Sequence, residues 1–318
     1  MGDTVEHRLG WVRPDAPYSA VATVGLLACL DDRDRGATAH WEPSPDGMRA
    51  PCLVIRTALD LPAVSEAIAE APWPDVDGLD WPAKRSQAIK PTLSTLAGDS
   101  PIPAVRAWRE LAGLDDSPGA DDPAEQTAAR RLVAALLTDG TLDGGLPGRS
   151  RLLRGVKADL SGTAKPPKTT ADELAVELAG GPAWTSGSSG LGLGLVPEVQ
   201  TFGGTTGPNP QSVGQYSKLL YRLCWHGLMA MPPFAVDRGS RRVVGGPLFS
   251  GADTLSWPVW TFPLRRNALV PLFGLAAIHA DEPDGHLLRA RGISAVFRSK
   301  AREINTMISV FGWGARVA

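Results

Sequence analysis

The sequence predicts an α+β protein: small mixed sheet units with helices, rich in loops and divided into two to three subdomains. Three observations carry this. The first hundred residues read as helix, two strands, helix. The last hundred read as a helix followed by short strands of aromatic and β-branched residues. Between and within them, 28 prolines and 35 glycines are spread through 318 residues without a period, as in a loop-rich globular chain.

The elements follow in order. "SAVATVGLLACL", from Ser19 to Leu30, predicts a buried helix that Ser19 could cap, with Leu26, Leu27 and Leu30 on one face. "ATAHWEP" and "PCLVIRT" predict two strands joined by a turn at "SPDG". "LPAVSEAIAEA" carries Val64, Ile68 and Ala71 at helical spacing and ends at "PWP". "PAVRAWRELAGL" and "DDPAEQTAARRLVAALLTDG" read as helices, the second capped by Asp122 and stopped at Gly140. "TADELAVELAGG" is a shorter one. Ala183 to Ser212 is rich in Gly and Ser, without a period, and predicts a long loop. "VGQYSKLLYRLCWHGLMAM" predicts a buried helix ended by Pro232 and Pro233. "RRVVGGPLF" and "DTLSWPVWTFPL" predict strands, and "RRNALVPLFGLAAIHA" a helix kinked or started near Pro271. "ARGISAVFRSK" predicts a strand with Ile293, Ala295 and Phe297 facing one way.

The expected organisation is an N-terminal α+β domain over 1–112 and an acidic linker over 113–126. A helical segment with the Gly/Ser-rich loop then fills 127–212, and a basic α+β domain 213–318. No apolar run approaches the length of about 18 residues that a spanning helix needs, and no membrane partner is expected. The N-terminus lacks the apolar core and cleavage pattern of a signal peptide. Cys29, Cys52 and Cys224 are odd in number and far apart, without a CxxC pair, which predicts reduced thiols in a cytoplasmic protein.

Motifs for catalysis are missing. There is no GxxxxGK[ST]; "GLGLG" at Gly190 to Gly194 is not a dinucleotide fingerprint; no GxSxG elbow is present. "HADEPDGH" holds His279, Asp281, Glu282, Asp284 and His286, but Pro283 and Gly285 mark it as a polar surface turn rather than a metal site. His226, on an apolar helix beside Trp225, reads as a core histidine. No catalytic residue, metal or cofactor is nominated, so the expectation is a protein that is not an enzyme.

Charge gives the positive signal. The net charge is −2, yet residues 213–318 carry 13 basic and 6 acidic side chains. Arginine suits phosphate because its planar fork makes two hydrogen bonds at once. Arg241 and Arg242 precede one strand, and Arg265 and Arg266 follow "LSWPVWTFPL". Arg289 and Arg291 precede the "GISAVF" strand; Arg298, Lys300 and Arg302 follow it. With Trp257 and Trp260 as stacking or wedge candidates, and Lys84 and Arg85 as further backbone contacts, these residues predict a cationic trough for nucleic acid. Trp257 and Trp260 are three apart, so a strand sends them to opposite faces; at most one of them faces such a groove easily, and the other reads as core.

The block "EHRLGWVRPDAPYSAVATVGLLACL…AHWEP…CLVIRT" resembles the opening of large-subunit-type proteins of CRISPR type I-G (also called I-U) systems. Gly25, Leu26, Leu27 and Leu30 match the helix of that opening and Trp41 its strand. "LCWHGLMAMPP", "LSWPVWTFPL" and "RGISAVFRSKAR" are similar to segments that recur in the same order in that group. The resemblance covers the two ends of the chain and not the middle. It implies a non-enzymatic subunit of an RNA-guided surveillance complex in antiviral defence. Its partners would be guide RNA, target DNA and other CRISPR effector subunits, and the protein would hold backbone or read a short flanking motif. The alternative expectation is a protein-interaction or scaffold subunit, with its aromatics as interface anchors.

Overall fold

The computed structural model describes residues 4–43, 50–72, 169–187, 214–231, 234–237, 242–245, 248–251, 254–305 and 308–318. Within them helices and antiparallel sheets combine as an α+β fold. The predicted helices "PAVRAWRELAGL" and "DDPAEQTAARRLVAALLTDG", the linker and nearly all of the Gly/Ser-rich loop lie outside the described residues.

Helix α1 (Tyr18–Leu30) is buried around almost its whole circumference, as its sequence without charges requires. Pro17 occupies its N-cap position without a side-chain hydrogen bond, and Ser19 lies inside the helix rather than capping it. The partner is the second long helix, α2 to α4 being Leu61–Glu70, Ala171–Gly180 and Lys218–Ala230 in chain order. Helices α1 and α4 cross at two glycines. A Cβ on Gly25 would lie 1.7 Å from the Leu223 carbonyl oxygen, and one on Gly227 would lie 2.0 Å from that of Val21. The contact is reciprocal: residues 21 and 25 of one helix meet 223 and 227 of the other. Both helices carry Gly-Leu-(Leu/Met)-Ala from the crossing point onward.

Three strands, β1 (Val5–Leu9), β2 (Thr38–Glu42) and β3 (Cys52–Thr57), form an antiparallel sheet in the order β1-β3-β2. Leu53, Val54 and Ile55 of the central strand are all buried. The inner face packs on α1, and the outer face carries ion pairs of Arg8 with Glu6 and Glu42 and of Arg56 with Glu6. Asp60 caps α2 through Ala63 N. Thr170 and Glu173 cap α3 with a reciprocal box, each bond 3.2 Å. Arg222 of α4 is buried and donates to the carbonyls of Ile68, Ala69 and Ala71, which the end of α2 leaves without helical partners.

The C-terminal sheet runs β11-β10-β9-β8, with β12 also on β10. Its strands are β8 (Phe249–Gly251), β9 (Thr254–Trp260), β10 (Ile293–Asn305), β11 (Ile308–Phe311) and β12 (Ala315–Arg316). Two further antiparallel pairs are β4 (Thr185–Gly187) with β5 (Gly214–Tyr216) and β6 (Phe234–Asp237) with β7 (Arg242–Gly245). Between β9 and β10 lie α5 (Arg266–Phe273, with Pro271 inside it), α6 (Ala276–His279) and α7 (Gly285–Ala290). The expected alternation of Ile293, Ala295 and Phe297 is broken. A register shift between Ile293 and Ala295 turns Ile293 toward a small cluster with Ile278, Leu288 and Val296, while Ala295 and Phe297 pack on the main core.

That main core includes residues from β1 to α2, from α3, from α4 and from β9 to β10. The described parts of the N-terminal and C-terminal segments therefore share one interior. Ala39 of β2 and Leu264 bridge the two sheets by exchanging hydrogen bonds of 2.9 and 3.0 Å. Among the described residues no helix is long and apolar enough to cross a membrane.

Gly25→Ala or Gly227→Ala forces α1 and α4 apart and lowers unfolding free energy by at least about 2 kcal/mol in chemical denaturation. Gly10→Ala, where an added Cβ meets nothing within 4 Å, is the control that changes little. Burial, with the Arg222 guanidinium adding to it, holds the His226 imidazole down to about 3. The native state then refuses a proton that the unfolded chain accepts below about pH 6.5. Stability falls as pH drops from there toward 3, by up to about 1.4 kcal/mol per pH unit. Denaturation curves of His226→Gln show a shallower acid slope than those of the native chain.

Candidate nucleic-acid interface

The two tryptophans expected to stack on bases are core residues. Trp257 is 1% exposed and Trp260 is fully buried. Spacing of three does send them to opposite faces of β9, but both faces are covered. The Trp260 indole donates to the Ala39 carbonyl at 2.8 Å and packs against Trp41 and Phe273. The Trp257 indole donates to the Pro14 carbonyl at 2.8 Å and stacks on Phe297, with Gly314 against its ring. A buried indole whose N–H already has a partner has no ring face left for a base.

Two of the nominated arginines are half-buried and engaged within the chain. Arg266, the first residue of α5, pairs with Asp31, just beyond α1, with Nε 2.6 Å from the carboxylate. Arg298 of β10 is half-buried. It donates to the Ser256 hydroxyl and to the carbonyls of Ile278, Ala280 and Asp281, which close the end of α6. Its fork is occupied by carbonyls that would otherwise need other donors. Arg222, Arg316 and Lys218, other cations of the basic third, also bond within the chain.

The remaining candidates divide. Arg265, Arg289 and Arg291 are exposed, and none is within ion-pair distance of a described carboxylate. Arg289 folds back over Gly285 toward Asp284, the residue that caps α7 through His286 N and Leu287 N. Arg265 acts at longer range on Asp34. Burial pushes that carboxyl up, but hydrogen bonds from Thr57, Ala58 and Gly36, together with the Arg265 charge, bring it below the usual range. Lys300 is exposed at the far end of the β9–β10 pairing, opposite Thr254, whereas Arg291 precedes Ile293, opposite Trp260. Seven strand residues separate these ends, about 23 Å. Arg242 starts β7 and Arg302 lies in β10 opposite Val310. Lys84, Arg85 and Arg241 lie outside the described residues.

The nominated cations therefore do not converge into one trough among the described residues. They leave a smaller group, Arg265 and Arg291, beside the segment that joins β9 to α5. The exposed aromatic of that segment is Phe262, beside two tryptophans that draw the eye in the sequence but are enclosed. Its available signal was Pro263: a proline directly after an aromatic ends the ladder that would have buried it.

The other motif positions are structural. In "HADEPDGH" the His279 Nε2 donates to the Phe273 carbonyl at 2.7 Å and Asp284 caps α7. Among the described residues no group of three or more His, Cys, Asp or Glu side chains is placed to hold a metal ion. Burial pushes the Cys29 thiol up to about 12 and raises that of Cys224 as well, so neither is an activated nucleophile. Comparison with protein-family models, curated proteins and solved structures returns no match for this chain.

Proposed function

We propose that this chain is a non-enzymatic nucleic-acid-binding subunit of a type I CRISPR RNA-guided surveillance complex. The observation that carries the reading is where the resembling phrases fall. They lie at opposite ends of the sequence, yet they are α1, β2, β3, α4, β9 and β10, the elements that build one interior. A likeness spread over separate phrases gains weight when those phrases pack together as a unit. The chemistry on offer is backbone contact rather than base stacking by tryptophan. Arg265 and Arg291 can meet phosphate oxygens, while base pairing with a guide supplies sequence specificity. In this reading the partners are guide RNA, target DNA and the other effector subunits, and the site of action is the cytoplasm.

A second reading, a scaffold subunit that touches only protein, is favoured by one observation: Arg266 and Arg298 are already spent inside the fold. The two readings separate in one experiment. Arg265→Glu combined with Arg291→Glu is compared with the native chain for DNA binding by fluorescence anisotropy over a series of salt concentrations, and for assembly by size-exclusion chromatography with partner subunits. The nucleic-acid reading expects assembly intact and a log–log salt slope shallower by about 2, one for each lost phosphate contact. Native binding that does not respond to salt counts against it. Loss of assembly with DNA binding unchanged supports the scaffold.

A further inference from the structure

We propose that the strap Thr261–Leu264, with Arg265 and Arg291 flanking it, is a stacking site for single-stranded DNA, in which Phe262 takes a base and the two arginines take neighbouring phosphates. This rests on the nucleic-acid reading above and assigns the contact that the tryptophans do not make.

The strap is held at both ends. Thr261 donates through its backbone N–H, at 3.0 Å, and its hydroxyl, at 3.2 Å, to the Gly292 carbonyl. Leu264 exchanges two backbone hydrogen bonds with Ala39. Between these pins Phe262 and Pro263 are exposed, with Phe262 36% exposed. Pro263 fixes its own φ and restricts the residue before it.

The ring also has a prepared seat. Gly292 has φ of +75° and lies against the Cδ1–Cε1 edge of Phe262, where an added Cβ would lie 2.4 Å from both atoms. One edge of the ring rests on that glycine while part of the ring stays open to solvent. An exposed aromatic ordinarily loses rotamer freedom on binding. Here the flanking pins and the glycine seat have already removed much of that freedom.

Charge on both flanks names the occupant. Arg291 is the residue before Gly292, and Arg265 is three residues after Phe262. Both are exposed and neither is in an ion pair with a described residue. A flat ring between two cations suits an unpaired base with phosphates on each side, and stacking tolerates any base because every base has a π-face. A duplex offers no such face, since its bases are stacked on one another. DNA is the strand named because, in the nucleic-acid reading above, pairing of a guide RNA with one target strand leaves the other DNA strand unpaired.

The test uses the full chain and labelled oligothymidylate of about 16 nucleotides, with oligouridylate and a DNA duplex of equal length as further arms. Phe262→Ala weakens oligothymidylate binding about ten-fold or more and leaves duplex binding within about two-fold. Phe262→Trp preserves it. Phe262→Leu keeps an apolar side chain on Gly292 but has no flat ring; it weakens binding as Ala does, with a thermal midpoint close to that of the native chain. Native-like oligothymidylate binding by both Phe262→Ala and Phe262→Leu overturns the stacking site while leaving the broader reading standing. Tighter binding of oligouridylate than oligothymidylate overturns the DNA assignment. If the native chain binds none of the three, alone or with its partner subunits, the broader reading fails as well.

Discussion

The close approach of α1 and α4 is the constraint on which the other contacts depend. Each helix presents a glycine where the other presents a backbone carbonyl, and no side chain fits between them. With the axes fixed, the rest of the interior has only certain places to go. The three-stranded sheet lies against α1, and α2 is tied to α4 by the Arg222 guanidinium. The C-terminal sheet reaches the first through Ala39 and Leu264. The glycines are retained at positions where helix propensity favours nearly any other residue. Backbone proximity explains them where propensity does not.

Much of the fold was legible in local pattern. The apolar run of α1, the helical spacing of α2 and the β2–β3 pair follow from period and end signals that span only a few residues. Strand β1 was not, because "VEHRL" has only two apolar residues and takes its structure from pairing with β3. The bulge in β10 was invisible for a similar reason: it comes from pairing with β9, and the sequence by itself reads as a regular alternation.

Of the candidate site, the sequence shows the excess of cations and not their partners: counting charges could not tell which were already engaged. Those answers lie far away in the chain: Arg266 finds its carboxylate 235 residues back, and Arg222 its nearest carbonyl 154 residues back. The tryptophans show the same limit. Their indole partners are 243 and 221 residues distant, so nothing in "LSWPVWTF" states that both rings are enclosed. What survived the fold is the residue that looked least remarkable in that phrase, the phenylalanine before the proline.

Sharing one interior across so long a separation has a consequence for biosynthesis. Helix α1 ends at Leu30, and its partner begins only at Lys218. At ribosomal speeds of about 5–20 residues per second, α1 waits about 10–40 s before α4 emerges. Through that interval the most uniformly oily segment of the chain has the first sheet and α2 beside it but lacks its main helical partner. The nascent protein is a natural client for a holdase, and its yield in a cell is set by how well that waiting helix is sheltered.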